Sequence, residues 1–296
     1  SGYLGSHVCA LLLERGHRVR ACVRKPSDTK KAGHLLALPG AADGLTLCRG
    51  DLEEPGSFDE AMAGAHAVIH SASAVVLTAK DPQREIVDVA VLGSQNVVGA
   101  AKRTSSVRRV VMTSSTAAVF DSTRPKGHVF TEADYNDSST VKTDAYATSK
   151  VRAERAARAL AHEPSGRVLE FTCILPSLIL GPVPAEAHLR TSPVVLYDLM
   201  LGAFPGVPDL VFPTVDVRDV ALAHVLALEA ERPKDRYLCT KQNVPLRRMA
   251  ELIRARYPES KVPRRNLPNA LMYLTALFDP RLTFEFLRQN LGDAPR

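Results

Sequence analysis

Tyr146 and Lys150 stand four residues apart in the run Tyr-Ala-Thr-Ser-Lys, and the segment Thr113-Ser114-Ser115 precedes them. A phenol ionises near pH ~10 and is a poor acid or base at neutrality. A nearby cation favours the phenolate and brings proton exchange into a working range. At a spacing of four, both side chains fall on one face of a helix. A serine hydroxyl beside them can donate to a substrate oxygen and hold it in register with the phenol. The chemistry these types suit is proton transfer to and from a carbonyl. The spacing alone is weak evidence in a chain with 7 tyrosines and 11 lysines, and Lys150 could as well be a surface residue, so context has to decide.

That context is an alternation of apolar runs and helical stretches. Leu4 to Arg15 reads as a helix ended by Gly16. Short runs at Arg18 to Val23, Leu45 to Cys48, Ala67 to His70, Arg109 to Thr113 and Leu169 to Leu175 read as buried strands. The stretches Pro82 to Arg103 and Asp144 to His162 between them read as helices. Buried strands alternating with helices predict an α/β, doubly wound parallel sheet of Rossmann type. In such a sheet ligands bind at the carboxyl ends of strands, where the serines after Met112 fall. After Pro176 prolines cluster, which predicts a smaller C-terminal substrate lobe. Asp216 to Ala230 returns as a helix and Arg236 to Thr240 as a strand. The expected division is a dinucleotide-binding unit over 1–175, rejoined by about 211–240, and a substrate lobe from 176–210 and 241–296.

Gly2-Tyr3-Leu4-Gly5 opens the first helix. Glycines at this spacing let backbone approach a pyrophosphate, and a helix N-terminus offers free N–H groups. An ordinary tight turn would use the same residues. The second strand ends in Val23-Arg24-Lys25-Pro26, with no carboxylate at its end and Lys30 and Lys31 close behind. An acid there would bind the ribose hydroxyls of NAD, whereas the planar fork of Arg24 suits a 2′-phosphate. The expectation is NADP(H) in preference to NAD(H), against the plain alternative of a solvated basic turn.

A formal net charge of +6 raises the question of nucleic acid, but the cations are scattered. Arg152 to Arg158, interleaved with Glu154 and alanines, reads as a solvated face, and the chain has no tryptophan to stack on bases. No nucleic-acid partner is expected. Cys9, Cys22, Cys48, Cys173 and Cys239 form no C-x-x-C pair, so neither a zinc site nor a disulfide framework is expected. That usage points to a reducing, cytoplasmic setting. No apolar run is long enough to span a membrane. His7, His66, His70 and His224 fall within expected regular elements and are assigned to no metal.

Taken together the chain resembles an extended short-chain dehydrogenase/reductase of the NAD-dependent epimerase/dehydratase family, within it the dihydroflavonol reductase-like group. The motifs are Gly2 and Gly5, Val19 to Pro26, Gly50-Asp51-Leu52, Val68 to Ser73, Thr113-Ser114-Ser115, Tyr146 to Lys150, Pro176 to Pro182 and Val215 to Ala221, in the family's order. The resemblance implies Ser115, Tyr146 and Lys150 as the catalytic set, with Tyr146 the proton donor in reduction. Lys150 would also hold the nicotinamide ribose. It implies that Gly2, Tyr3, Leu4, Gly5, Arg24, Lys31, Asp51, Leu52, Ser71, Ala72, Ser73 and Pro176 line the dinucleotide, Asp51 and Leu52 at the adenine and Pro176 beside the nicotinamide. Asp219 and Arg218 are expected as a helix cap and its ion-pair partner. In the family the loop begins one glycine earlier, on a strand in mid-sheet; here the first strand is expected to be missing, leaving its two neighbours unpaired.

The expected activity is NADPH-dependent reduction of an apolar aldehyde, ketone or ketoester to an alcohol, with a small-molecule carbonyl substrate. Pocket-lining segments are expected at Phe130 to Asn136, Leu196 to Pro205 and Leu267 to Phe278, with Tyr135 and Tyr197 as polar handles. Phe120 stands where some flavonoid reductases carry a polar residue, which weighs against a polyphenolic substrate. Alternatives are an NAD-dependent nucleotide-sugar epimerase or dehydratase, a hydroxysteroid dehydrogenase-like enzyme and a non-catalytic NADP-binding regulator. Assembly as monomer or homodimer is left open by the resemblance.

Overall fold

The computed structural model describes residues 1–72, 79–125, 127–164, 166–276 and 284–292. In chain order its elements begin with α1 (Tyr3–Glu14), β1 (Val19–Val23), α2 (Thr29–Leu36), α3 (Ala41–Gly44), β2 (Leu45–Arg49), α4 (Asp59–Met62) and β3 (Ala67–His70). There follow α5 (Val89–Arg103), β4 (Arg109–Thr113), α6 (Ala145–His162), β5 (Glu170–Pro176), β6 (Leu178–Leu180), α7 (Val194–Leu201) and β7 (Val207–Pro208). The chain continues with β8 (Val211–Asp216), α8 (Val217–Glu229), β9 (Arg236–Cys239), β10 (Gln242–Pro245), α9 (Leu246–Arg256), β11 (Asn266–Leu267), α10 (Asn269–Thr275) and α11 (Phe284–Asn290).

Strands β3, β4, β5 and β9 lie side by side in that order, all parallel, with Ala67 opposite Arg109, Arg109 opposite Glu170 and Cys173 opposite Arg236. Successive residues of a strand face opposite sides, so an apolar run buried on both sides needs a layer of helices on each. Val110 and Met112 pack with α5 and α6 in one core. Val111 between them packs with α1 and α8 in the other. This is the doubly wound arrangement. Strands β1 and β2 form a separate parallel pair, Val19 opposite Leu45. Among the described residues no ladder joins β1 to β3. Side chains make the link: α1 buries Tyr3, Leu4 and Val8 against α8 and Leu13 against the β1–β2 side, and the Asn96 side chain of α5 donates to the Leu52 carbonyl just after β2 at 2.8 Å.

Two helices start where an aspartate satisfies a free amide of the first turn. Asp144 accepts from the Ala147 amide at 2.9 Å to open α6. Asp216 accepts from the Arg218 amide at 2.8 Å to open α8 and also binds the Arg218 guanidinium at 2.7 Å. The cap of α8 is therefore Asp216 and not Asp219, because the helix begins one residue after the end of β8. The expected helix from Pro82 opens instead with a wider π-helical turn, Gln83–Asp88, before α5 proper. His66 sits one residue before β3 and not within it.

Beyond Pro176 a smaller sheet forms, with β8 antiparallel to β10 and parallel to β6. Its core of Leu199, Leu210, Leu246, Met249 and Leu287 is distinct from the two cores around the main sheet. Phe278, the far end of one expected pocket segment, lies outside the described residues.

Candidate active site

Several of the expected residues meet at the strand ends of the main sheet. Ser71 follows β3 directly, and a β-carbon on Gly5 would lie 3.3 Å from its Oγ. A residue without a side chain lets the first turn of α1 settle this closely on the end of a strand without displacing the serine. Gly2, the N-cap of α1, has open space around its missing β-carbon and no side-chain cap. The free amides of the first turn thus stand beside open space, which fits a pyrophosphate. Tyr3 and Leu4 contribute only backbone to that turn. The Tyr3 ring is buried edge-on to His7, 5.7 Å between centroids, and Leu4 is buried in the same core.

Arg24 leaves the end of β1, and its side is exposed to solvent. Gly50 donates its amide to the Val23 carbonyl at 3.0 Å, which carries the β1–β2 pairing one step further and sets Asp51 next to Arg24's strand end. The Asp51 carboxylate accepts from the Glu53 amide at 3.1 Å, holding that turn. Lys31 is more remote from this role; it is exposed and stands 3.9 Å from Asp28, one turn back. Ser73 lies outside the described residues.

A small cavity behind the strand ends is lined by Leu52, His70, Ala72, Ser94, Thr113 and Lys150. It joins three of the expected residues: Leu52 from the turn after β2, Ala72 from the loop after β3 and Lys150 from α6. Lys150 is buried, and its Nζ stands 5.5 Å from the centroid of the half-buried Tyr146 ring. His70 is wholly buried here, and burial together with the Lys150 charge pushes its pKa down to about 4. It therefore stands neutral beside the ammonium. Ser115 is buried at the end of β4, where its Oγ accepts from the Ala117 amide at 3.1 Å and its own hydroxyl proton is left for another acceptor. Pro176 ends β5 opposite Cys239, buried on the same edge of the sheet.

Some expectations are corrected. Glu154, read as part of a solvated face, is fully buried; Tyr146, Lys150 and Glu154 repeat every four residues, so they share the inward stripe of α6 while Arg152 and Arg155 point out. Tyr135 is not a free polar handle. Its hydroxyl donates to Glu154 at 3.3 Å, and its ring lies 3.9 Å from the Arg236 guanidinium. Asn136 is a clasp, donating its amide to the Ala118 carbonyl at 2.9 Å and its side chain to Ala117 at 3.1 Å. Phe120 packs on Phe130, 5.2 Å between centroids. Tyr197 lies half-buried on α7 in the lobe. Among the described residues no group of three or more potential ligands is placed to hold a metal, and no helix is long and apolar enough to cross a membrane.

A doubly wound parallel sheet with a glycine turn opening α1 and polar groups gathered at its strand ends defines a Rossmann-type dinucleotide-binding protein. The profile of the NAD dependent epimerase/dehydratase family matches residues 1–239, and the chain belongs to that family, as an NAD(P)-dependent oxidoreductase of the extended short-chain dehydrogenase/reductase type. A cinnamoyl-CoA reductase of Medicago truncatula is 36% identical over 270 residues, 89% of this chain and 80% of that protein. A dihydroflavonol 4-reductase of Callistephus chinensis is 34% identical over 273 residues, 89% and 72% of the two chains. The crystal structure of Gre2 from Candida albicans with NADPH superposes with a TM-score of 0.79 at 27% identity, over 91% of this chain and 84% of that one.

Proposed function

We propose that the protein reduces an apolar aldehyde, ketone or ketoester to the alcohol with NADPH, through Ser115, Tyr146 and Lys150. The observation that carries this reading is the placement of Lys150: a buried ammonium beside the Tyr146 ring, at the ends of the strands and in a cavity shared with Leu52 and Ala72. With that ammonium beside its ring, Tyr146 is the residue that would give its proton to a developing alkoxide. The Ser115 hydroxyl donates to the same oxygen and stabilises the charge that forms on it. When bound, the nicotinamide supplies the hydride to the carbonyl carbon; the products are the alcohol and oxidised cofactor. Gly2, Gly5, Asp51, Leu52, Ser71 and Ala72 would hold the dinucleotide, with Arg24 on its 2′-phosphate and Pro176 beside the nicotinamide.

The basic end of β1 supports NADPH over NAD, and with it a reductase over an epimerase. Related proteins named as reductases, and the NADPH complex of Gre2, support the same direction. The test is NADPH consumption with benzaldehyde, cyclohexanone and ethyl acetoacetate. Turnover of at least one is expected, and Tyr146→Phe should lower its kcat by roughly two to four orders of magnitude. Cofactor that binds with no net turnover of any of the three, or a Tyr146→Phe variant with near wild-type rate, would overturn the reading.

A further inference from the structure

Glu154 lies on α6 one turn beyond Lys150 and two beyond Tyr146, with no exposed surface. Its two oxygens serve different elements. Oε2 accepts from the Ser114 hydroxyl at 2.6 Å. Oε1 meets the Arg236 Nε at 2.7 Å and accepts from the Tyr135 hydroxyl at 3.3 Å. Arg158, on the next turn of α6, stands 3.8 Å from the same oxygen. A carboxylate this deep survives only if paired and hydrogen-bonded on both oxygens. Arg236 is itself fixed: it is buried, and its Nη1 donates to the Glu132 and Asp134 carbonyls at 2.6 and 2.7 Å.

The partner in this network that adjoins Ser115 is Ser114, at the end of β4. The backbone stays extended through Ser115, at φ −162° and ψ 155°, so adjacent side chains project to opposite sides. With its amide on the Ile174 carbonyl at 2.8 Å and its hydroxyl on Glu154, Ser114 leaves Ser115 a single direction to project. Misplacing a reacting group by an ångström can cost two orders of magnitude in rate, so a clamp of this kind has catalytic weight without touching substrate.

We propose that Glu154 is a positioning residue that ties the strand end carrying Ser115 to the helix carrying Tyr146 and Lys150. This rests on the Ser115–Tyr146–Lys150 reading above. The direct change, Glu154→Gln, leaves the buried Arg236 without its carboxylate partner and can fail to fold, so Ser114→Ala is the decisive variant, since it deletes only the hydroxyl that Glu154 holds.

Each variant is assayed with NADPH and the best-reduced carbonyl of the panel, and rates are divided by the concentration of NADPH-binding sites from a fluorescence titration. Ser114→Ala should lower kcat about tenfold with the KM for NADPH within about twofold of wild type, and Ser114→Thr, which keeps the hydroxyl, should restore most of the rate. Unchanged kcat per site in Ser114→Ala, or a loss that Ser114→Thr does not recover, would overturn the clamp. Ser115→Ala and Tyr146→Phe run in parallel separate the two ideas. If both are disabled while Ser114→Ala is fully active, only the clamp fails; if both retain full rate, the catalytic set fails and the clamp with it.

Discussion

Gly93, in the second turn of α5, touches Leu52: a β-carbon at position 93 would lie 2.9 Å from the Leu52 β-carbon and 3.2 Å from its Cδ2. The contact is with the root of the leucine side chain, which cannot rotate away, so the turn after β2 would have to move. Overpacking of this kind costs about 1–3 kcal/mol. Gly93→Ala should therefore lower Tm by several degrees and raise the KM for NADPH, because Asp51 and Leu52 move together. Thermal unfolding and steady-state kinetics check the two effects; a variant as stable as wild type would show that the turn yields freely.

Arg24 stands exposed at the end of β1, where the 2′-phosphate of NADP would meet it. Losing a charge-assisted, bidentate contact to phosphate costs about 1.5–3 kcal/mol, or roughly ten- to a hundredfold in affinity. Arg24→Ala should raise the KM for NADPH by that factor and leave the KM for NADH nearly unchanged. Isothermal titration with both cofactors checks the split.

Two buried histidines make stability depend on acid. His70 and His224 are both pushed from 6.5 down to about 4, chiefly by burial. His224 donates from Nδ1 to the Val220 carbonyl at 2.8 Å, so its Nε2 accepts from the Thr113 hydroxyl at 2.7 Å as a neutral ring. A folded pKa below the unfolded one means that the unfolded chain takes up more protons between the two values. Stability is therefore full above pH 6.5 and falls as the pH drops toward 4, by about 3 kcal/mol for each ring at the lower limit. Chemical denaturation at pH 7 and pH 5 should show the decline, and His70→Asn should flatten it by roughly half.

Arg167 closes the far end of the fold, away from the strand ends. Its guanidinium donates to the carbonyls of Ala101 and Ser105, both at 3.0 Å, and to those of Thr104 and Val107. One side chain thus satisfies the open end of α5 and the loop that enters β4. Arg167→Ala should cost about 2–4 kcal/mol by stranding those acceptors, with kcat per NADPH-binding site unchanged. Calorimetry beside the titrated assay tests both halves.

Much of the scaffold was legible because buried parallel strands leave continuous apolar runs with sharp ends. Ala67 to His70 and Arg109 to Thr113 form at the predicted bounds. The strand-end serines and the Tyr146 helix could be placed for the same reason. Glu154 was not legible as buried, since a stretch of Arg, Glu and Ala looks solvated in one dimension. Its partner Arg236 arrives from β9, a distant part of the chain. The signal was present in the four-residue period from Tyr146 through Lys150, which continues inward to Glu154 and Arg158. Tyr135 was misread in a similar way: its segment is apolar, but the nearby guanidinium and carboxylate, not a substrate, occupy its ring and hydroxyl. The cap at Asp216 depended on where α8 begins, the kind of boundary that local pattern fixes least well.

The separation of β1–β2 from the β3–β9 ladder has a consequence for how the molecule opens. Cooperative protection of backbone amides spreads along hydrogen-bonded ladders, and here it must cross from one to the other through side chains, those of α1 and those of the turn after β2 against α5. In native-state hydrogen exchange the amides of Val19 to Val23 and Leu45 to Arg49 should form their own opening unit, exchanging at lower free energy than those of β4 and β5. The part of the protein that would clasp the adenine end of a cofactor would then breathe while the part that carries the acid and base stays shut.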